Sequence, residues 1–428
     1  MTKSQLSKTE KPDEQKGSRR ERRRRVRGRA NGEGSIFPYR NGYAAYVWVN
    51  PPDGKRTRKW AYGRTREETH KKWLKLHEAA KKGPVTTKAP TLAAYLERWL
   101  NEVVKPELAP ATAANYEMFV RLYIVPTLGR KRLDKLTVTD VRAWLNKLRE
   151  TCQCCAQGKD ARREEKRQRC CAVGRCCEQY ASERTCRDAW TTLRAALGNA
   201  VREEILPRNV ASLLRVSKPR KRRVKPWSVD EARKFLVSAR ERRDPLYAAY
   251  VLILTLGLRR GEVLGLRWAD VDLEAEEIRI GWQLQRINGQ LLHRETKTEA
   301  SDAALPLVDI CTTALRERRR DQETARENAT EWTESGLVFT TRTGRPIEPR
   351  NFNRSFAAAC DRAGVRRVPV HVTRKTCASL LVALDVHPRV VMQILRHSQI
   401  AVTMDIYSEV STAATRKALR KLGKQLGE

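Results

Sequence analysis

The sequence has no apolar stretch long enough to cross a bilayer. Its longest candidate, Tyr247 to Leu258, is a dozen residues, which suits a buried helix where a membrane span needs about 20. The opening residues, Met1-Thr2-Lys3-Ser4-Gln5, contain no apolar signal core, so a cytoplasmic protein is expected. No internal repeat is found. Acidic charge is scarce as well: 50 Asp and Glu stand against 87 Lys and Arg, a formal net charge of +37. Only a polyanion makes that excess useful, because each neutralised phosphate releases counterions and adds salt-sensitive affinity. A ribosomal or chromatin protein would carry similar charge, so charge does not separate binding from catalysis. What is present is an apolar share of 40% over 428 residues, enough for the cores of two or three domains.

Residues 1–30 are polar, and Lys16 to Arg29 is almost wholly basic. Such a segment cannot form a core and reads as a disordered basic tail that could touch DNA backbone. From 31 to 83 the pattern changes. Tyr43 to Val49 is rich in β-formers, flanked by the turn signals Asn41-Gly42 and Pro52-Asp53-Gly54, and is followed by the basic strand Lys55 to Trp60. Thr65, with Glu68 three residues on, caps a helix running to Lys82. Three strands and a helix form a small module; its basic residues and aromatics interleave, which suits DNA, although protein contact is the competing reading.

A Pro-containing linker follows, and 90–217 reads as a helical domain, with helices over Thr91–Val104, Thr112–Ile124, Thr139–Arg149 and Arg184–Glu204. The basic linker Ser217 to Lys225 closes it. The last domain, 224–415, opens on the capping box Ser228 to Glu231. It continues through an apolar helix at Val251–Leu256, a hairpin from Ile278 to Arg294 turning at Asn288-Gly289, and four further helical stretches, with 416–428 as a tail.

Eight of the eleven cysteines lie between Cys152 and Cys186, inside an insert of the helical domain at 151–186. Without a secretion signal a disulfide framework is not expected. Cys152, Cys155, Cys171 and Cys176 approach a four-thiolate structural zinc spacing, with Cys154, Cys170 and Cys177 as alternative ligands. A reduced, metal-free basic loop is the other reading. Nothing suggests a catalytic metal.

The chemistry gathers near the C-terminus. Thr255-Leu256-Gly257-Leu258-Arg259-Arg260-Gly261-Glu262 places Arg259 at the end of a buried apolar helix, where a guanidinium needs an anion. His371 and Arg374 are spaced to share a helix face. Leu395-Arg396-His397 precedes Thr403-Met404-Asp405-Ile406-Tyr407. Alone, each is ordinary: an ion-paired Arg, a core His, a packed Tyr. Together they form a kit for phosphoryl transfer without metal, with guanidiniums on the nonbridging oxygens and a tyrosine as nucleophile.

In order and spacing these blocks resemble the tyrosine recombinase, or phage integrase, family: Arg259 with Glu262, the His371-x-x-Arg374 box, and His397 followed by Tyr407. Lys297, in Glu295-Thr296-Lys297-Thr298 before the strand Ala303–Leu307, matches the family's hairpin lysine. The likeness is strong over 226–415 and looser over the helical part and the N-terminal module. Arg396 stands where the family usually has Gly, and Val372 where Asp is common; neither is read as chemical. The resemblance implies a multidomain fold, mainly α with small antiparallel β-sheets: a three-stranded β arm domain, a helical core-binding domain and a mixed α/β catalytic domain.

It also implies a site-specific integrase cutting and rejoining DNA through a covalent 3′-phosphotyrosyl link. Tyr407 would be the nucleophile, Lys297 the general acid and His371 the proton acceptor, while Arg259, Arg374 and His397 stabilise the transition state and Glu262 orients an arginine. No cofactor is needed for catalysis. Partners would be double-stranded DNA attachment sites, further copies in a tetrameric synapse, and an excision or host DNA-bending factor, with no membrane. The competing readings are a type IB topoisomerase-like enzyme, a non-catalytic DNA-binding regulator, and a chromosome-dimer resolvase, which usually lacks an arm module.

Overall fold

A computed structural model describes residues 35–49, 56–81, 89–217, 224–296 and 303–407, with the backbone alone for Val402 and for 405–407. The expected basic tail at 1–30, the Pro52-Asp53-Gly54 turn, most of the two linkers, Lys297 and the tail at 416–428 lie outside the described residues. The chain divides into two compact units, the first comprising residues up to 89 together with 198–209, the second the remainder.

In the first unit, strands β1 (Phe37–Tyr39), β2 (Gly42–Val49) and β3 (Thr57–Gly63) form an antiparallel sheet in that order. The β1–β2 turn is made by Arg40 and Asn41, with Arg40 at φ 52°, so it sits one residue earlier than the Asn41-Gly42 expectation. Period-two alternation gives the sheet two different faces. Ala45, Val47, Val49 and Ala61 are buried against Trp73 of helix α1 (Arg66–Lys81). The Trp73 indole N–H also donates to the Tyr46 carbonyl at 3.1 Å. Helix α1 starts as the sequence suggests, with Glu68 N–H donating to Thr65 Oγ1 at 3.1 Å and Arg64 N–H donating to Glu68 at 2.9 Å.

The second unit begins with helices. Helix α2 (Leu92–Trp99) is capped by Thr91, whose side chain accepts from Ala94 N–H, and widens into a π-type turn over Leu100–Val104. Helix α3 (Pro110–Phe119) widens in the same way over Val120–Ile124. Helix α4 (Val138–Glu150) starts one residue earlier than its apolar period indicates. Thr137 and Asp140 form a reciprocal capping box there, satisfying two otherwise orphaned N–H groups. Val141, Trp144, Leu145 and Leu148 are its buried stripe. After the cysteine insert comes α5 (Glu183–Arg202).

Past the basic linker, α6 (Val229–Glu241) carries the capping box expected at Ser228 and Glu231. Helix α7 (Tyr247–Thr255) is buried from Ala248 to Leu254, which explains its uniformly apolar sequence. Around it, Trp227, Phe235, Tyr250, Phe352 and Phe356 form the aromatic centre of the largest core. The hairpin read as one strand from Ile278 divides at Gly281. Strand β5 (Glu277–Ile280) joins β4 (Val271–Asp272) and β8 (Ala303–Pro306), while β6 (Trp282–Ile287) pairs with β7 (Gln290–Glu295) in a separate sheet. The Asn288-Gly289 turn, with φ of 47° and 79°, has the left-handed geometry a two-residue hairpin demands. Remaining helices include α8 (Arg260–Leu264), α9 (Asp309–Glu327), α10 (Pro349–Arg362), α11 (Val370–Ala383), α12 (Pro388–Leu395) and α13 (Ile400–Tyr407). The architecture is multidomain and mainly helical with small antiparallel sheets, as expected.

Candidate active site

The site starts from a turn that only glycine makes easily. After α7 the chain must reverse into α8, and Gly257 does so at φ +60°. A Cβ there would lie 2.5 Å from Leu395 Cδ2 and 3.3 Å from Cys377 Sγ. The freed Gly257 carbonyl accepts from Arg374 Nη1 at 2.7 Å. Two residues on, Arg259 caps α8. Its backbone N–H donates to Glu262 Oε2 at 2.8 Å and its Nη1 to Glu262 Oε1 at 2.6 Å. Gly265 lets α8 lie directly on β6, since a Cβ would meet Gln283 backbone at 2.7 Å. Arg259, Glu262, Gln283, His371 and Arg374 thus line one cleft of about 680 Å³.

Helix α11 presents His371 at the exposed rim and Arg374 one turn deeper. Arg374 Nη2 is buried and has no hydrogen-bond partner among the described residues. Burial, then the neighbouring Arg259 cation, pulls the Arg374 pKa down to about 9, so it still carries its charge at neutral pH. A buried guanidinium N–H without an acceptor costs about 1–3 kcal/mol, and an anion in the cleft would supply that acceptor.

Arg396, read from sequence only as a departure without chemical role, is part of the site. It ends α12 in the left-handed region, φ 51° and ψ 50°, which explains why glycine is the usual residue there in the resembled family. Its side chain is 1% exposed, and Nη2 lies 2.6 Å from Glu262 Oε2. Glu262 therefore ties together two guanidiniums, Arg259 and Arg396. Burial alone would raise the Glu262 carboxyl, but Arg396 and Arg259 more than offset it and hold the pKa below the ordinary carboxylate value. The usable signal was a third arginine beside His397 in an apolar turn, where a guanidinium must find an anion.

His397 is half-buried, and its Nδ1 lies 2.9 Å from the Thr403 hydroxyl. Burial, then the cations of Arg374, Arg259 and Arg396, pushes its pKa down to about 4, leaving the imidazole neutral at pH 7. Thr403 is fully buried on α13, so this contact ties the helix that ends in Tyr407 to the arginine cluster. Tyr407 is placed only as the last backbone position of α13, and its side chain lies outside the described set. The structure therefore brings Arg259, His371, Arg374 and His397 into one region and is silent on Lys297.

Comparison with known proteins bears on the family and the fold. The phage integrase family matches residues 213–414, and the phage integrase N-terminal SAM-like domain matches 91–149. A XerC-like tyrosine recombinase from Caldanaerobacter subterraneus subsp. tengcongensis is 26% identical over 391 residues, covering 86% of this chain and 92% of its own. An integrase from Saccharopolyspora erythraea is 23% identical, covering 86% of this chain and 91% of its own. In fold, the Tn1549 transposon integrase, solved in complex with a circular intermediate DNA, superposes with a TM-score of 0.59 at 18% identity, covering 78% of this chain and all of that one. The chain belongs to the phage integrase family of tyrosine recombinases and is a site-specific DNA strand transferase that needs no catalytic cofactor.

Proposed function

We propose that this recombinase integrates and excises a mobile element by cutting attachment-site DNA with Tyr407. The observation that carries the site assignment is the buried, unpartnered Nη2 of Arg374 on the same cleft as Arg259, a gap that a scissile phosphate would fill. The Tyr407 oxygen attacks phosphorus and forms the 3′-phosphotyrosyl bond, as the bond to the 5′ oxygen breaks. The phenolic proton passes toward His371, while Lys297 protonates the departing oxygen. Arg259 and Arg374 hold the nonbridging oxygens, and His397 donates a further hydrogen bond. Attack by a new 5′-hydroxyl reverses each step, so the energy of the cut bond is retained and neither ATP nor metal is consumed.

Residues 31–83 are assigned as the arm-type DNA-binding domain, 90–217 as the core-binding domain and 224–415 as the catalytic domain. The outer face of the first sheet supports the arm assignment. Trp48, Trp60 and Tyr62 are 42%, 41% and 50% exposed, and the Arg58 guanidinium lies 4.7 Å from the Trp48 ring centroid. Stacked cations and aromatics suit a phosphate-lined groove. Work on attachment sites then requires a tetrameric assembly on DNA in the cytoplasm, with an excision or host bending factor. The cysteine insert is assigned a structural zinc on Cys152, Cys155, Cys171 and Cys176. The test is a nicked attachment-site DNA that traps the intermediate. Wild type should yield a covalent protein–DNA adduct, and Tyr407→Phe should bind the same DNA without forming it. Adduct formation by the Phe variant would sink the assignment.

A further inference from the structure

The strand-transfer chemistry makes no use of the cysteine insert. Seven thiols converge there in two sets of four. Cys152, Cys155, Cys171 and Cys176 have all their Sγ atoms within 4.8 Å of one another, and so do Cys154, Cys170, Cys171 and Cys177. Cys171 belongs to both. Within the sets the close separations are 3.8 Å for Cys154–Cys170, Cys155–Cys176 and Cys171–Cys177, and 3.9 Å for Cys152–Cys171; Cys152 and Cys177, one from each set, are 3.9 Å apart. A disulfide needs about 2.05 Å. Four thiolates about 2.3 Å from one tetrahedral zinc lie about 3.8 Å apart, the edge of that tetrahedron.

A second observation is independent of those distances. The insert has almost no apolar core: Val173 and Tyr180, its larger apolar side chains, are 53% and 49% exposed. Yet the segment holds defined turns at Glu165–Arg167 and Cys171–Val173. A short segment without a core keeps such order only if something staples it. Asp160, fully buried, accepts from the backbone N–H groups of Arg169, Cys170 and Ala172 at 3.2, 2.9 and 3.1 Å and from Arg163 Nη1 at 2.8 Å. That carboxylate fixes the turn carrying Cys170 and Cys171. Three of the thiols, those of Cys155, Cys176 and Cys177, are exposed and gain little by packing.

We propose that the insert holds a two-zinc thiolate cluster, each ion bound by four sulfurs with Cys171 bridging both. This rests on the structural-zinc assignment above and adds a second ion and a shared ligand. Each thiol gives its proton to solvent on binding. Seven thiolates and two divalent ions leave a net negative charge, which Arg162, Arg163, Lys166, Arg167, Arg169 and Arg175 of the same insert offset.

The test is zinc per chain, measured by plasma mass spectrometry on full-length protein purified under reducing conditions without chelator. Two zincs are expected. Cys154→Ser, which touches only the second set, should lower the count to about one, and so should Cys155→Ser in the first set. Cadmium-exchanged protein should show two resonances coupled through one sulfur in cadmium NMR. One zinc in wild type, unchanged by Cys154→Ser, would overturn the bridged cluster and leave the single-site assignment standing. Absence of zinc would overturn both.

Discussion

Glu262→Gln is the most informative single change, because the carboxylate neutralises a guanidinium that water cannot reach. Arg396 is 1% exposed and Glu262 is 3% exposed, joined at 2.6 Å. Gln keeps the shape and one acceptor but loses the charge, leaving Arg396 buried and uncompensated. Breaking a buried pair from one side costs about 3–5 kcal/mol. For a catalytic domain of this size that corresponds to a fall in Tm on the order of 10 °C. The pairing can be separated from general damage with a second background. Arg396→Gly removes the stranded cation and suits the left-handed backbone at φ 51°. In that background Glu262→Gln should cost no more than about 1–2 kcal/mol, a coupling of roughly 2–3 kcal/mol. The assay is urea unfolding of the four proteins, compared through the midpoint and slope of the same transition. The sign with pH follows from the depressed Glu262 pKa. The pair's contribution is present above the unfolded carboxyl value and is lost as pH falls through the lower folded one, so the gap between wild type and the Gln variant should narrow in acid. Equal costs in both backgrounds, or a loss under about 1 kcal/mol in the first, would refute the reasoning.

Other outcomes follow from the same cluster. Arg374→Ala should reduce adduct formation by about 10²-fold, and Arg374→Lys should restore little, since a point charge cannot replace a planar fork; near-wild-type cleavage by either would contradict the phosphate-clamp role. Gly257→Ala forces a side chain into φ +60° and into Leu395. It should lose about 1–3 kcal/mol of stability and slow cleavage by shifting the carbonyl that holds Arg374, so an unaffected variant would remove Gly257 from the site. His397, with its pKa lowered to about 4, contributes stability that is present above its unfolded value and lost as pH falls through the folded one. After discounting for partial exposure, unfolding at pH 7 and pH 4 should show wild type losing about 1–2 kcal/mol more than His397→Gln; parallel losses would argue against a perturbed imidazole.

Legibility in the sequence followed the range of the interactions. Capping boxes at Ser228 and Glu231, or at Thr65 and Glu68, span three residues and were readable in advance. So was the buried α7, whose unbroken apolar run leaves no solvent face. Helix α4 begins at Val138, earlier than the apolar period, because Thr137 and Asp140 complete a reciprocal capping pair. The β5–β6 division at Gly281 was hidden, since strand pairing there depends on β8, which lies beyond the hairpin. Arg259, His371, Arg374 and His397, singled out by order, spacing and family resemblance, lie in one region of the structure, whereas Arg396 was given no role. Its partner Glu262 lies 134 residues away, so the apolar turn around Arg396 could signal that an anion was needed but not which one.

Arg396 also changes how the electrostatics of the cleft are understood. With Arg259 and Arg374 alone, Glu262 would cancel half of the positive charge that would face the proposed phosphate. A third guanidinium bound to the same carboxylate restores the balance, so that Arg259, Arg374, Arg396 and Glu262 together carry +2 with His397 neutral. A phosphodiester carries one negative charge, and attack by a tyrosinate brings a second to the pentavalent phosphorus. On the proposed mechanism, a charge near +2, with Arg396 buried and Arg259 46% exposed, would favour that state over the ground state, as differential stabilisation requires. The same argument explains why Arg396 is tolerated at a backbone position that suits glycine. The strain of a side chain there is of order 1–2 kcal/mol, and from that backbone Arg396 meets the buried carboxylate of Glu262 at 2.6 Å. Chemistry without a metal needs its positive charge held in place before substrate arrives, and Glu262 is the group that holds two of the three guanidiniums there.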